Sequence, residues 1–268
     1  MDTQFKDKTY LVTGGSRGIG EKITLGLLNL GANVILITRD TASTLANPNF
    51  EKFQQDSLSI VSADLSIHSQ TQSCAERLSN KVSHLSGIVF CAGGAVQNGN
   101  FEIISSESWL EAFQLNVLSS IQILQKMLPK LQVTGHSSVV FVGSLSSDEP
   151  GYLNPHYSAS KAALMNFMKH MSRRFAKDAI RFNAVSAGPV ESESIRDFAN
   201  QIATESGSDG DSSSSPIEFI SKTIQEIPLG RLGQPNEVAD VVIFLLSNRT
   251  SWVTGSNWKI DGGKSRSF

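Results

Sequence analysis

The sequence predicts an α/β fold, a doubly wound parallel sheet of about seven strands flanked by helices in a single domain, on three observations. Runs rich in Val, Ile and Phe alternate with segments of helical period. The first run leads straight into a glycine-rich turn, and 268 residues, 40% of them apolar, suffice for one large core. The candidate strands are 10–13, 34–38, 58–63, 87–91, 139–143 and 180–186, with a short closing strand at 258–260. Unbroken apolar runs suit strands buried on both faces, which is the property of a parallel sheet. Between them the candidate helices are 20–30, 70–82, 106–128, 157–178, 215–226 and 235–246. The stretch Glu205-Ser-Gly-Ser-Asp-Gly-Asp-Ser-Ser-Ser-Ser-Pro216 is too polar to order itself by burial and reads as a mobile loop within the domain.

Charge and cysteine content narrow the partners. Lys and Arg (23) nearly balance Asp and Glu (25), for a net charge of −2, and the cations are scattered, so no nucleic-acid footprint is present. Two cysteines, Cys74 and Cys91, are too few for a disulfide framework or a cysteine zinc site, no metal is expected, and the thiols suit a reducing cytoplasm. The first eight residues hold no apolar leader segment, and no run nears the ~18 apolar residues of a membrane span. The expectation is a cytoplasmic protein that engages neither membrane nor nucleic acid.

The chemistry concentrates in two places. Gly14-Gly-Ser-Arg-Gly-Ile-Gly20 lies between the first strand and the first helix, where glycines let backbone N–H groups approach a pyrophosphate at a helix N-terminus. An ordinary glycine-rich turn is the other reading of that segment. Downstream, Tyr157-Ser-Ala-Ser-Lys161 puts a phenol and an ammonium on one helix face. A phenol in water is a poor acid, with a pKa of roughly 10, so it exchanges protons near neutrality only when a positive neighbour favours the phenolate. Ser144 directly follows the apolar run 139–143, at the strand end where open α/β sheets bind ligands. Tyr152 has His156 rather than a lysine at i+4, so it reads as a substrate-pocket or packing residue. Asn116 sits in an apolar helical stretch although asparagine is a poor helix former, so a compensating contact is expected; a plain helix-face asparagine is the alternative.

The spacing Thr13-Gly-x-x-x-Gly-x-Gly20, with Asn116, Ser144, Tyr157 and Lys161, resembles the short-chain dehydrogenase/reductase family over almost the whole chain. The resemblance implies a Rossmann-type fold, with the branch of 3-oxoacyl-[acyl-carrier-protein] reductases similar in pattern. It assigns Asn116, Ser144, Tyr157 and Lys161 as the catalytic set, Asn116 bending its helix and holding a water that relays protons to Lys161. It implies cofactor contacts at Gly14, Ser16, Arg17, Ile19 and Gly20 in the first turn, and at Asp64 and Leu65 after the third strand. Further contacts fall at Cys91, Ala92 and Gly93 after the fourth strand, at Gly188, Val190 and Ser192, and at Tyr157 and Lys161. Pro228-Leu-Gly-Arg-Leu-Gly-Gln-Pro235 and the segment from Thr254 to Gly263 are similar to the family's C-terminal signatures. Two positions depart from its pattern: Cys91 stands where asparagine is usual and Ala187 where proline is usual.

The cofactor expected is NADP(H), because Thr38 and Arg39 end the second strand without an acid there, and Arg17 lies in the glycine loop. A solvated surface arginine is the other reading of Arg39, and Asp40 adds an opposing charge if it points inward. The function expected is reduction of a ketone to a secondary alcohol. Ser144, Tyr157 and Tyr152 would contact the substrate, Tyr157 giving the proton. A noncatalytic NADP-sensing regulator on the same fold is the alternative, and it would predict decay of the catalytic set, which is intact. Where carrier-dependent reductases of this kind often present basic residues, this chain holds Gly135-His136 and Lys177-Asp178, and the serine-rich loop is acidic, favouring a small free or secondary-metabolite ketone or alcohol over a carrier-bound one. Segment 191–227 is expected to be a substrate lid, with Ile195 and Phe198 facing Ile217, Phe219 and Ile220 across the polar centre, or else a surface insertion. The resemblance also implies a homotetramer or homodimer, with Leu115, Leu118, Ile121, Leu124, Leu164, Phe167 and Met168 as interface candidates whose alternative is core packing.

Overall fold

A computed structural model of the chain describes residues 3–54, 56–206 and 215–267. In chain order its strands and α-helices are β1 (Thr9–Thr13), α1 (Gly18–Asn29), β2 (Asn33–Thr38), α2 (Thr41–Ala46), β3 (Leu58–Ser62), α3 (His68–Lys81), β4 (Gly87–Phe90), α4 (Ser106–Phe113), α5 (Ser119–Gln132), β5 (Ser137–Ser144), α6 (Pro155–Arg174), β6 (Ile180–Ala187), α7 (Glu193–Ser206), α8 (Pro216–Gln225), α9 (Pro235–Leu246) and β7 (Asn257–Ile260). All strands pair in parallel in the order β3-β2-β1-β4-β5-β6-β7. The order reverses between β1 and β4, and the carboxyl ends of those strands form the crevice in which such sheets bind ligands.

Two apolar layers hold the sheet. One joins Leu11, Ile88, Phe90, Val139 and Phe141 to α3, α5 and α6; the other joins Val12, Val34, Leu36 and Val140 to α1 and α9. The central strands β1, β2, β4 and β5 supply side chains to both layers in alternation, so their lengths are mostly apolar. Phe141 stacks on Phe90 at 5.0 Å and meets Phe167 of α6 edge-on at 6.1 Å. Aromatic pairs of this geometry add roughly 0.5–1.5 kcal/mol each beyond area burial, and here they fix α6 against the strand that ends in Ser144.

Four helical elements and one loop differ from the sequence expectation. The helix expected over 106–128 is interrupted by a π-helical turn, Gln114–Leu118, between α4 and α5. The helix expected over 157–178 starts earlier, on Pro155, and stops at Arg174, because a 3-10 turn at Ala176–Asp178 and left-handed Ala179 redirect the chain into β6. Helices α2 and α7 were not anticipated: α2 has only six residues, five of them polar or small, capped by Asp40, and the helical period of α7 runs into the serine-rich stretch. The polar loop expected over 205–216 is also shorter, since α7 extends through Ser206 while Ser215 caps α8 and Pro216 opens it. The rest of that expected loop, 207–214, lies outside the described residues.

Candidate active site

At the nucleotide end, Gly14 has φ 67°, and a Cβ there would lie 2.7 Å from the Ala92 backbone, so the turn after β1 closes on the end of β4 only with glycine. Thr13 binds the same two strands: its Oγ1 accepts from the N–H groups of both Cys91 and Ala92, at 3.1 Å each. These bonds satisfy the backbone amides at the end of β4, whichever side chain stands at position 91. Burial pushes the half-buried Cys91 thiol up to about 11, against the pull of the Lys161 ammonium, and leaves it a small apolar group rather than a nucleophile.

Helix α1 begins at Arg17 with no side-chain cap, which leaves its first amides for an acceptor from outside the helix. With a glycine turn at this uncapped end, the residues fit a dinucleotide pyrophosphate. Gly20 and Ile19 lie in the first turn of α1, Ile19 partly buried against the core layer of α1. Beside them the buried Thr38 hydroxyl donates to Ser16 Oγ at 3.2 Å. Asp40 is turned away, its carboxylate accepting the Ser43 N–H at 2.9 Å as the cap of α2. Arg39 is exposed, and Arg17 reaches Glu193 of α7 at 3.6 Å. Asp64 Oδ1 accepts from the Ser66 N–H and hydroxyl at 2.9 and 2.8 Å, while the Leu65 side chain is buried in the core.

At the chemical end, the π-turn brings Asn116, fully buried, against Gly94. Asn116 Nδ2 donates to the carbonyls of Gly94 and Ala112, both at 3.0 Å, and Oδ1 accepts the Gly94 N–H at 2.9 Å. The amide thereby satisfies carbonyl and N–H groups that the wider helical turn and the loop would otherwise leave bare. Gly93 lies between Asn116 and Lys161: a Cβ on it would stand 2.6 Å from Asn116 Oδ1 and 2.8 Å from Lys161 Nζ. Lys161 is only 3% exposed, and its Nζ donates to the Val142 carbonyl at 2.9 Å and lies 5.8 Å from the centre of the Tyr157 ring. No carboxylate pairs with it among the described residues. Ser144 ends β5 with its Oγ accepting the Ser146 N–H at 3.2 Å and 2.8 Å from Ser146 Oγ.

Tyr152 does not join this group. Its side chain is 99% exposed, which overturns the packing role given as one of its readings. After β6, Gly188 lies against Asp261, where a Cβ would meet its Cα at 2.7 Å, and Val190 is buried beside Gly233. Ser192 Oγ accepts the Ile195 N–H at 3.3 Å, in the segment that leads into α7. Phe198 of α7 and Phe219 of α8 meet edge-on at 5.4 Å, so the two expected apolar flanks pack on each other, while Ile217 points to solvent. Sequence reasoning missed the roles of Thr13, Ser146, Asn98 and Asn154; an Asn before the Pro that opens α6 was the one available signal, as a helix-start residue.

The family model for enoyl-(acyl carrier protein) reductases matches residues 14–265. A rhamnolipid-biosynthesis 3-oxoacyl-[acyl-carrier-protein] reductase of Pseudomonas aeruginosa is 30% identical over 261 residues, covering 94% of each chain. The crystal structure of a short-chain dehydrogenase family protein from Francisella tularensis superposes with TM-score 0.84 at 31% identity, over 96% of this chain and 98% of that one. L-sorbose reductase from Gluconobacter frateurii, complexed with NADPH and L-sorbose, superposes with TM-score 0.88 at 25% identity over 100% of both chains. With a glycine turn on an uncapped helix, a tyrosine–lysine pair on α6 and these matches end to end, the chain belongs to the short-chain dehydrogenase/reductase family of oxidoreductases.

Proposed function

We propose that this protein is an NADPH-dependent reductase that converts a ketone to a secondary alcohol, with Tyr157 as the proton donor. The observation that carries the reading is the Lys161 ammonium, buried without a counter-ion among the described residues and set between Gly93 and the Tyr157 ring. An unpaired buried charge is costly, and stabilising a phenolate is a use that offsets the cost. The uncapped start of α1 and the neutral Thr38, with Asp40 turned to α2, support NADP(H). Arg17 and Arg39 would take its 2′-phosphate. When bound, NADPH supplies the hydride that the carbonyl carbon accepts. Tyr157 passes its hydroxyl proton to the carbonyl oxygen as negative charge develops there, and Lys161 steadies the phenolate left behind. Ser144 donates a hydrogen bond to the same oxygen, since its acceptor side is engaged by the Ser146 amide. Asn116 holds the Gly93–Gly94 backbone beside the lysine and, with a water, returns a proton to it.

The substrate is read as a small free ketone: at the end of α6 the Asp178 carboxylate, which accepts a hydrogen bond from Gln132, stands next to Lys177 and offsets its charge toward an acidic carrier. The 30% identity to a reductase of carrier-bound 3-oxoacyl groups makes thioesters the necessary comparison. The protein is further proposed to be cytoplasmic and to assemble as a homodimer or homotetramer; no described helix is long and apolar enough to cross a membrane. The test is NADPH oxidation across ketones, diketones, quinones, 3-oxoacyl thioesters and enoyl thioesters, with Tyr157→Phe as control. Turnover of a carbonyl that Tyr157→Phe abolishes, with NADPH affinity kept, is expected. Turnover of enoyl thioesters alone would replace carbonyl reduction by double-bond reduction, and silence throughout would favour a noncatalytic NADP sensor.

A further inference from the structure

Three residues before Tyr157, Asn154 starts α6 in the left-handed region, with φ 58° and ψ 52°. A left-handed residue other than glycine costs about 1–2 kcal/mol, least for asparagine, and persists where its surroundings hold it. Here they do. Asn154 Nδ2 donates to Asn98 Oδ1 at 2.8 Å, its Oδ1 accepts the Gly99 N–H at 2.9 Å, and its own N–H donates to the Gly99 carbonyl at 2.9 Å. Its carbonyl accepts the Ser158 N–H of the first turn of α6 at 3.1 Å. Asn98, in the loop between β4 and α4, uses its other amide group as well: Nδ2 donates to Gln201 Oε1 of α7 at 2.6 Å. All three side chains are half-buried, so the bonds are shielded in part from exchange with water.

We propose that Asn98 and Asn154 form a polar joint through which α7 sets the start of the catalytic helix, making both of them positioning residues for Tyr157. The proposal rests on the reading of Tyr157 as proton donor. The joint spans three segments that the sequence keeps far apart: residue 98 after β4, residue 154 at the head of α6 and residue 201 in α7. Because the Asn98 amide is bonded on both sides, displacing α7 pulls on the loop that holds Asn154. Asn154 in turn fixes the direction from which the chain enters the turn carrying Tyr157.

Hydrogen exchange and turnover test this on the full-length protein. Gln201→Ala does not touch Gly99, yet it should speed exchange of the Gly99 and Asn154 amides by about tenfold by loosening Asn98. With the ketone identified by the NADPH panel, Asn98→Ala and Gln201→Ala should each lower kcat about 5- to 10-fold while leaving NADPH affinity unchanged, and the double variant should be no worse than the poorer single one. Asn98→Asp should retain most of the wild-type kcat, because its carboxylate still accepts from Asn154 Nδ2 and from a turned Gln201 amide. Asn154→Gly, which keeps the left-handed backbone without the side chain, should behave like Asn98→Ala. Unchanged amide exchange in Gln201→Ala, or single effects that multiply in the double variant, would overturn the joint. A wild-type protein inactive on every carbonyl would instead remove the proton-donor reading, while the exchange measurement would still decide whether the joint exists.

Discussion

The choice of cofactor rests on single residues at the end of β2. Thr38 is buried and neutral, and Asp40 is committed to capping α2, so no carboxylate is left to accept the ribose diol. On the proposed reading, Arg39→Asp exchanges a phosphate fork for such a carboxylate. It should shift the NADPH-to-NADH preference by about 100-fold toward NADH, the equivalent of one charge-assisted contact, as read from kcat/KM with each cofactor. Equal use of both cofactors by the wild type would refute the assignment. Cys91 makes the opposite kind of prediction. A thiol held up at about 11 is on the order of 0.1% thiolate at pH 8, so iodoacetamide at that pH should leave it unmodified and activity intact.

Among elements, the π-turn and the head of α6 carry the most consequence. Asn116→Ala removes three hydrogen bonds, those to the Gly94 amide and to the Gly94 and Ala112 carbonyls. The loss should be about 2–4 kcal/mol in urea unfolding, with turnover abolished because the Gly93–Gly94 backbone no longer abuts Lys161. An Asn116→Ala protein of wild-type stability would show that the wide turn forms without it. Beside Tyr157, His156 is fully buried against Trp109, with ring centroids 6.0 Å apart. Neither ring nitrogen finds a partner of hydrogen-bonding geometry among the described residues. Burial holds its protonation below the ordinary value of 6.5, the Gln97 backbone lying near enough only to moderate the shift. The unfolded chain therefore takes up this proton first as pH falls below 6.5, and stability declines from there down to the folded value. The fall in urea midpoint between pH 7.5 and 5.5 should be smaller in His156→Phe, which keeps a ring against Trp109; an equal fall in both proteins would clear His156 of the effect.

At the scale of the whole molecule, the surface sorts the interface candidates. Leu124, Leu164 and Met168 are core residues, and Leu115, Ile121 and Phe167 pack partly against the same core, so only Leu118 of that set remains exposed. Leu110 of α4, 72% exposed, and Phe101 and Ile103 in the loop before α4 are further exposed apolar side chains. If the proposed assembly forms, such exposed apolar side chains are where it would bury surface. Light scattering at micromolar concentration should give a multiple of 29.0 kDa, and Leu110→Glu should shift it toward one chain; a wild-type monomer would end the oligomer proposal.

What was legible in the sequence is what local physics writes into neighbouring residues. Strand runs were readable because a doubly covered sheet demands unbroken apolar stretches, and the seven runs found there correspond to β1 through β7. The glycine turn was readable because the approach of β1 to Ala92 forbids a Cβ, and the Tyr157–Lys161 pair because one helical turn brings i and i+4 together. The π-turn was foreshadowed only as an asparagine in a poor place. Contacts between distant segments had no such trace. Thr13 holding the Cys91 and Ala92 amides, Lys161 reaching the Val142 carbonyl, Gly93 fitted between Asn116 and Lys161, and Asn98 tied to both Asn154 and Gln201 each join residues from different elements. Only the tertiary structure decides them, because periodicity and propensity describe neighbours along the chain, whereas a polar group's partner is chosen by which strand ends and helix starts the sheet order brings into one crevice.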